Sequence, residues 1–97
     1  MARDALRPLL WRRHYFVATV GRRGSTPGGP VLLLCDLACA CTGAALAEHV
    51  WVALPDDRDG ALRLGRRVRF RATVRPYVRD DGTANYELRG LRHLTLV

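Results

Sequence analysis

The chain has 97 residues, enough for one independently folding domain and too few for two. Sixteen basic residues against nine acidic ones give a formal charge of +7, and every basic residue is an arginine. That excess points toward a polyanionic partner, nucleic acid before membrane surface. No apolar run approaches the roughly 18 residues of a spanning helix. The Leu9-Leu10-Trp11 run is too short for the core of a secretory signal, so a cytoplasmic protein is expected. An odd number of cysteines crowded into residues 35–41 then reads as reduced thiols.

Residues 1–11 lack a clear pattern and read as an N-terminal tail, with Pro8 ending any helical turn, ahead of a domain over 12–97. Period-two alternation begins at residue 13. His14, Phe16, Ala18 and Val20 share one face, and Tyr15, Val17 and Thr19 share the other, predicting strand one over 13–21. Four glycines and two prolines in 21–30 predict a flexible basic loop carrying Arg22 and Arg23.

Strand two is expected over 31–42. Val31, Leu33, Cys35, Leu37, Cys39 and Cys41 form a wholly apolar face that reads as core. Gly43 marks a turn into strand three, over 46–54, where Leu46, Val50, Val52 and Leu54 face inward and His49 and Trp51 outward. Pro55 to Gly60 reads as an acidic loop, with room for one helical turn over 61–65.

Strand four, over 66–79, is the most regular. Val68, Phe70, Ala72, Val74 and Val78 alternate with Arg67, Arg69, Arg71, Thr73, Arg75, Tyr77 and Arg79. Asp81-Gly82 is a pairing favoured in tight hairpins. Strand five, over 84–96, turns Tyr86, Leu88, Leu94 and Leu96 inward, with a bulge or bend at Gly90. Five antiparallel strands with almost no helix predict an all-β barrel or a small sandwich.

The order of elements matches the threading of an OB-type barrel. The stretch from Leu64 to Tyr77 resembles the Gly-x-x-Val-x-Phe-x-Ala-x-Val-x-x-Tyr opening of strand four in OB-fold proteins. Glu48-His49-Val50-Trp51-Val52 resembles strand three of small prokaryotic and phage proteins that share that pattern. The resemblance covers residues 31–97 and implies a five-stranded antiparallel OB-type barrel. Two features depart from it: Arg66 stands where an acid is usual, and the 55–65 linker is too short for the usual capping helix. The resemblance leaves that cap to a turn or to the segment around Leu9, Leu10 and Trp11.

Two constellations suit nucleic acid. Arg67, Arg69, Arg71 and Arg75 project from one face of strand four at roughly 7 Å intervals, a spacing on the scale of successive phosphates along a single strand. Tyr15, Trp51 and Tyr77 lie on faces opposite the core, where exposed rings stack bases. With Arg22, Arg23 and Arg79 in the flanking loops, these residues form the candidate nucleic-acid-binding set. The expected function is binding of single-stranded DNA or RNA with little sequence specificity. The alternative is a protein-interaction or assembly subunit that docks into a larger complex through a strand edge and Trp11 or Trp51.

Other chemistries are disfavoured. The Gly-rich 21–30 stretch lacks the Gly-x-x-x-x-Gly-Lys pattern of a nucleotide-hydrolysing loop. On an extended strand Cys35 and Cys39 stand about 13 Å apart, too far to share a zinc ion. No catalytic triad or paired-acid arrangement is legible, so a binding module without cofactor or metal is expected, and not an enzyme.

Overall fold

The computed structural model describes residues 4–53, 63–78 and 80–97. A six-residue 3-10 turn, Asp4–Leu9, precedes five strands: β1 (Arg13–Thr26), β2 (Gly29–Cys39), β3 (Ala45–Ala53), β4 (Arg67–Val78) and β5 (Ala84–Leu96). They form one antiparallel sheet in the order β3-β2-β1-β4-β5. The outer strands β3 and β5 come into contact without a ladder between them among the described residues, so the sheet is curled but not closed. The proposed acidic loop at 55–60, Leu54, residues 61 and 62 of the 61–65 turn and Arg79 lie outside the described residues.

β1 organises the fold because its two halves serve different partners. Residues Arg13 to Thr19 pair with β4, and Phe16 to Thr26 pair with β2. Its alternation is as expected: Phe16, Ala18 and Val20 are buried. Phe16 stands opposite Phe70 of β4 with ring centroids 5.7 Å apart, and both rings are fully buried. Burying each such ring contributes about 1.5–3 kcal/mol. Val68, Ala72 and Val74 continue the inner face of β4, and Leu32, Leu34, Leu37, Val50, Val52, Leu88 and Leu91 complete the core.

Four expectations are corrected. First, 21–30 is not a loop. β1 runs on to Thr26, a two-residue turn at Pro27-Gly28 follows, and β2 starts at Gly29. Thr26 Oγ1 accepts from Gly28 N–H and donates to the Gly29 carbonyl, each at 3.2 Å, and Gly29 takes the positive φ, 123°, by which the chain enters β2.

Second, the core face of β2 is inverted at its start. Leu32 and Leu34 are buried, whereas Val31, Leu33 and Cys35 lie on the outer face, half-buried. Residues 31–34 are apolar on both faces, so partner register sets the phase: Leu34 stands between Val20 and Val50, and Leu32 opposes Val52. Asp36, with φ at 51°, then forms a bulge that returns Leu37 to the core.

Third, Val78 does not face the core. It is 71% exposed, in the part of β4 that pairs with β5 alone, since the pairing with β1 ends at Thr73. The β4–β5 connection is also longer than a two-residue hairpin, closed by Asp81 Oδ1 accepting from the Thr83 N–H at 2.9 Å.

Fourth, β5 bulges at Gly90 (φ 68°) as expected, but a second, unexpected bulge at His93 (φ 55°) joins it, and the inward set of β5 changes. Leu91 is consequently buried and Leu96 is half exposed.

The N-terminal segment forms a short helical turn that packs on the sheet. Leu6 is fully buried, and the 3-10 turn packs against both β3 and β5. The segment is tied down where Trp11 N–H donates to the Val74 carbonyl at 2.6 Å.

A basic face over β1, β4 and β5

The alternation of β4 is what builds the candidate site. With Val68, Phe70, Ala72 and Val74 committed to the core, Arg67, Arg69, Arg71, Thr73 and Arg75 must face outward. Register then sets their neighbours. Tyr15 and Arg92 flank Arg71; Arg13 and Arg89 flank Thr73; Glu87 stands opposite Arg75; Thr19 stands opposite Arg67. The face therefore holds seven arginines, 13, 67, 69, 71, 75, 89 and 92, with Glu87 its one acid among the described residues.

These arginines are not equivalent. Arg67 donates to Thr19 Oγ1 at 3.2 Å and to the Asp36 carbonyl at 3.0 Å, so it serves the β2 bulge. Arg69 lies over the Tyr15 ring, 4.4 Å from its centroid, and Arg75 over the indole of Trp11 at 5.0 Å. Arg89 pairs with Glu87. Arg13, Arg71 and Arg92 hold no side-chain partner among the described residues.

The expected site residues divide into two groups. Tyr15, Arg67, Arg69, Arg71 and Arg75 come together on this face, and Tyr77, half-buried, ends it opposite Asn85. Trp51 stands apart. Its indole lies across β2 onto Gly24, where an added Cβ would be 3.2 Å from Cζ3. It shares a cross-strand row with Leu33 and Arg22. Arg23 opposes Leu32 and takes the other face of β1. Two strands, β2 and β1, separate Trp51 from β4, and its row with Arg22 lies beyond Thr19, where the pairing of β1 with β4 ends.

Sequence reading missed Arg13, Arg89, Arg92 and the place of Trp11. Arg13 shares the phase of Tyr15 and was within reach. Arg92 was missed because the inward set Leu88, Leu94 and Leu96 keeps an unbroken period of two, which turns residue 92 inward, whereas the bulge expected at Gly90 shifts the phase and turns it out.

The thiols are separate from this face. Cys35 sits on the outer side of β2, and Cys41 is exposed in the turn after it. The Cys39 thiol is held below its usual range, chiefly by a hydrogen bond from the Thr42 side chain. Among the described residues no three His, Cys, Asp or Glu side chains gather as a metal-binding group, and no helix there is long and apolar enough to cross a membrane. No protein-family model, curated protein or solved structure matches the chain.

Proposed function

We propose that this protein is a binding module for single-stranded DNA or RNA, and not an enzyme. Its curled sheet is read as an OB-type barrel in which the β3 and β5 edges adjoin. The outer face of β1, β4 and β5 is the contact surface. One observation carries the reading: among the described residues, seven arginines on three adjacent strands are offset by a single carboxylate, while the rings of Trp11 and Tyr15 lie among them. Like charges on neighbouring strands repel, which an anionic ligand would relieve. Cations neutralise phosphates and rings stack bases, the two elements of sequence-tolerant single-strand binding.

Fluorescence anisotropy with labelled single-stranded DNA, single-stranded RNA and duplex, at about 50 and 200 mM salt, tests this. Binding of single strands should fall steeply across that range as released counterions are restored. Affinity indifferent to salt would contradict the reading. It would favour the second one, docking into a larger protein complex, for which Trp51 speaks: it is 43% exposed beside Val31 and Leu33.

A further inference from the structure

The ladder of β4 is not a uniform track for a phosphate backbone. Of its four arginines, Arg67, Arg69 and Arg75 are each held by an internal partner, whereas Arg71 has none among the described residues. The other two arginines of the face without such a partner among the described residues are Arg13 and Arg92. Register brings these three to one place. Arg71 and Arg92 are a direct cross-strand pair, and Arg13 lies one row further along, opposite Thr73. Thr73 is thus the centre of the group, two residues from Arg71 on its own strand and beside Arg13 on the next. Neighbouring strands lie about 4.8 Å apart and alternate residues about 7 Å apart, so three long guanidinium side chains can reach a common point above the Thr73 hydroxyl.

The geometry points to a single-phosphate site here, and to the terminal phosphate of an oligonucleotide as its ligand. This rests on the nucleic-acid reading of the face and refines it. Three positive charges without a side-chain partner among the described residues, with a hydroxyl between them, match a compact anion of high charge density. A phosphate monoester carries about −1.5 to −2 at neutral pH and presents three terminal oxygens, against a single charge and two free oxygens for an internal diester. Guanidinium forks bind such oxygens in pairs. Arg69 on Tyr15 and Arg75 on Trp11 then flank the phosphate with ring surfaces on which the adjoining nucleotides rest.

The test is anisotropy with three single-stranded oligothymidylates of equal length: one 5′-phosphorylated, one 3′-phosphorylated and one with both ends hydroxylated. One phosphorylated form should bind the intact protein about tenfold more tightly than the unphosphorylated one. That gain should vanish in Arg71→Gln and Arg92→Gln and persist in Arg69→Gln. Melting curves of the variants show that they are folded, which relief of like-charge repulsion favours. Equal binding of all three oligonucleotides by the intact protein overturns the terminal-phosphate site and leaves nucleic-acid binding standing. A gain that survives in Arg71→Gln and Arg92→Gln overturns it as well. No binding by any of them removes both.

Discussion

The guanidinium of Arg75 lies over the indole of Trp11, 5.0 Å from the ring centroid, and so joins the N-terminal segment to the basic face of β4. Trp11 makes this contact from a left-handed backbone conformation, φ 66°, fixed by its N–H donating to the Val74 carbonyl. The ring remains 59% exposed.

A side chain with a Cβ costs roughly 1–2 kcal/mol in that conformation, and glycine costs little. Trp11→Ala and Trp11→Gly both lose the cation–π contact, itself about 0.5–1 kcal/mol at an exposed site. Trp11→Gly should therefore be more stable than Trp11→Ala by about 1 kcal/mol. Chemical denaturation of the two variants measures the difference, and equal stabilities would mean that Trp11 is not held in a left-handed conformation.

Trp51 rests on Gly24 of β1, which offers no side chain to push it away. In Gly24→Ala the new Cβ would stand 3.2 Å from both the indole and Val31 Cγ2, so these neighbours must give way and the indole packs less closely on β1. In a Trp11→Phe background, where Trp51 is the only indole, its emission should shift to the red. Because Trp51 is remote from the β4 arginines, Trp51→Ala should weaken single-strand binding less than Trp11→Ala does. The opposite ranking would move the contact surface to β2 and β3.

Arg67 is the ladder member most engaged in structure. Arg67→Ala removes the donor to the Asp36 carbonyl and to Thr19, which should cost about 1 kcal/mol of stability. Its effect on the salt dependence of binding should be smaller than that of Arg71→Ala. Parallel melting and salt titrations of both variants separate the roles.

Phe70 is fully buried and stacked near Phe16 at the crossing of β1 and β4. Phe70→Ala should destabilise by about 3–5 kcal/mol. That is a large share of a small domain's total stability. A melting temperature within a few degrees of the parent's would contradict the facing assigned to β4.

Where alternation is strict and unbroken, the fold was legible in advance. Phe16, Ala18 and Val20 of β1 and Val68 to Val74 of β4 face inward as their pattern requires. Legibility failed where the backbone leaves the simple period. At residues 31–34 both faces are apolar, so only pairing with Val20, Val50 and Val52 selects Leu32 and Leu34 for the core. At Gly90 and His93 the bulges shift phase, which conceals Leu91 as a core residue and Arg92 as a surface one. Gly21 to Pro30 misled in another way: residues common in turns here sit in paired strands, because the partner strand satisfies their backbone. The β4 arginines were visible as a set. Which of them are already occupied was not, since Tyr15, Trp11 and the Asp36 carbonyl reach them through the tertiary fold.

The most direct test of the central claim is amide chemical-shift mapping during titration with a short single-stranded oligothymidylate. The shifts should concentrate at Arg13, Tyr15, Arg71, Thr73, Arg89 and Arg92, with the Trp11 indole N–H moving alongside them. Shifts confined to Val31, Leu33, His49 and the Trp51 indole, with the β4 amides unmoved, would contradict it.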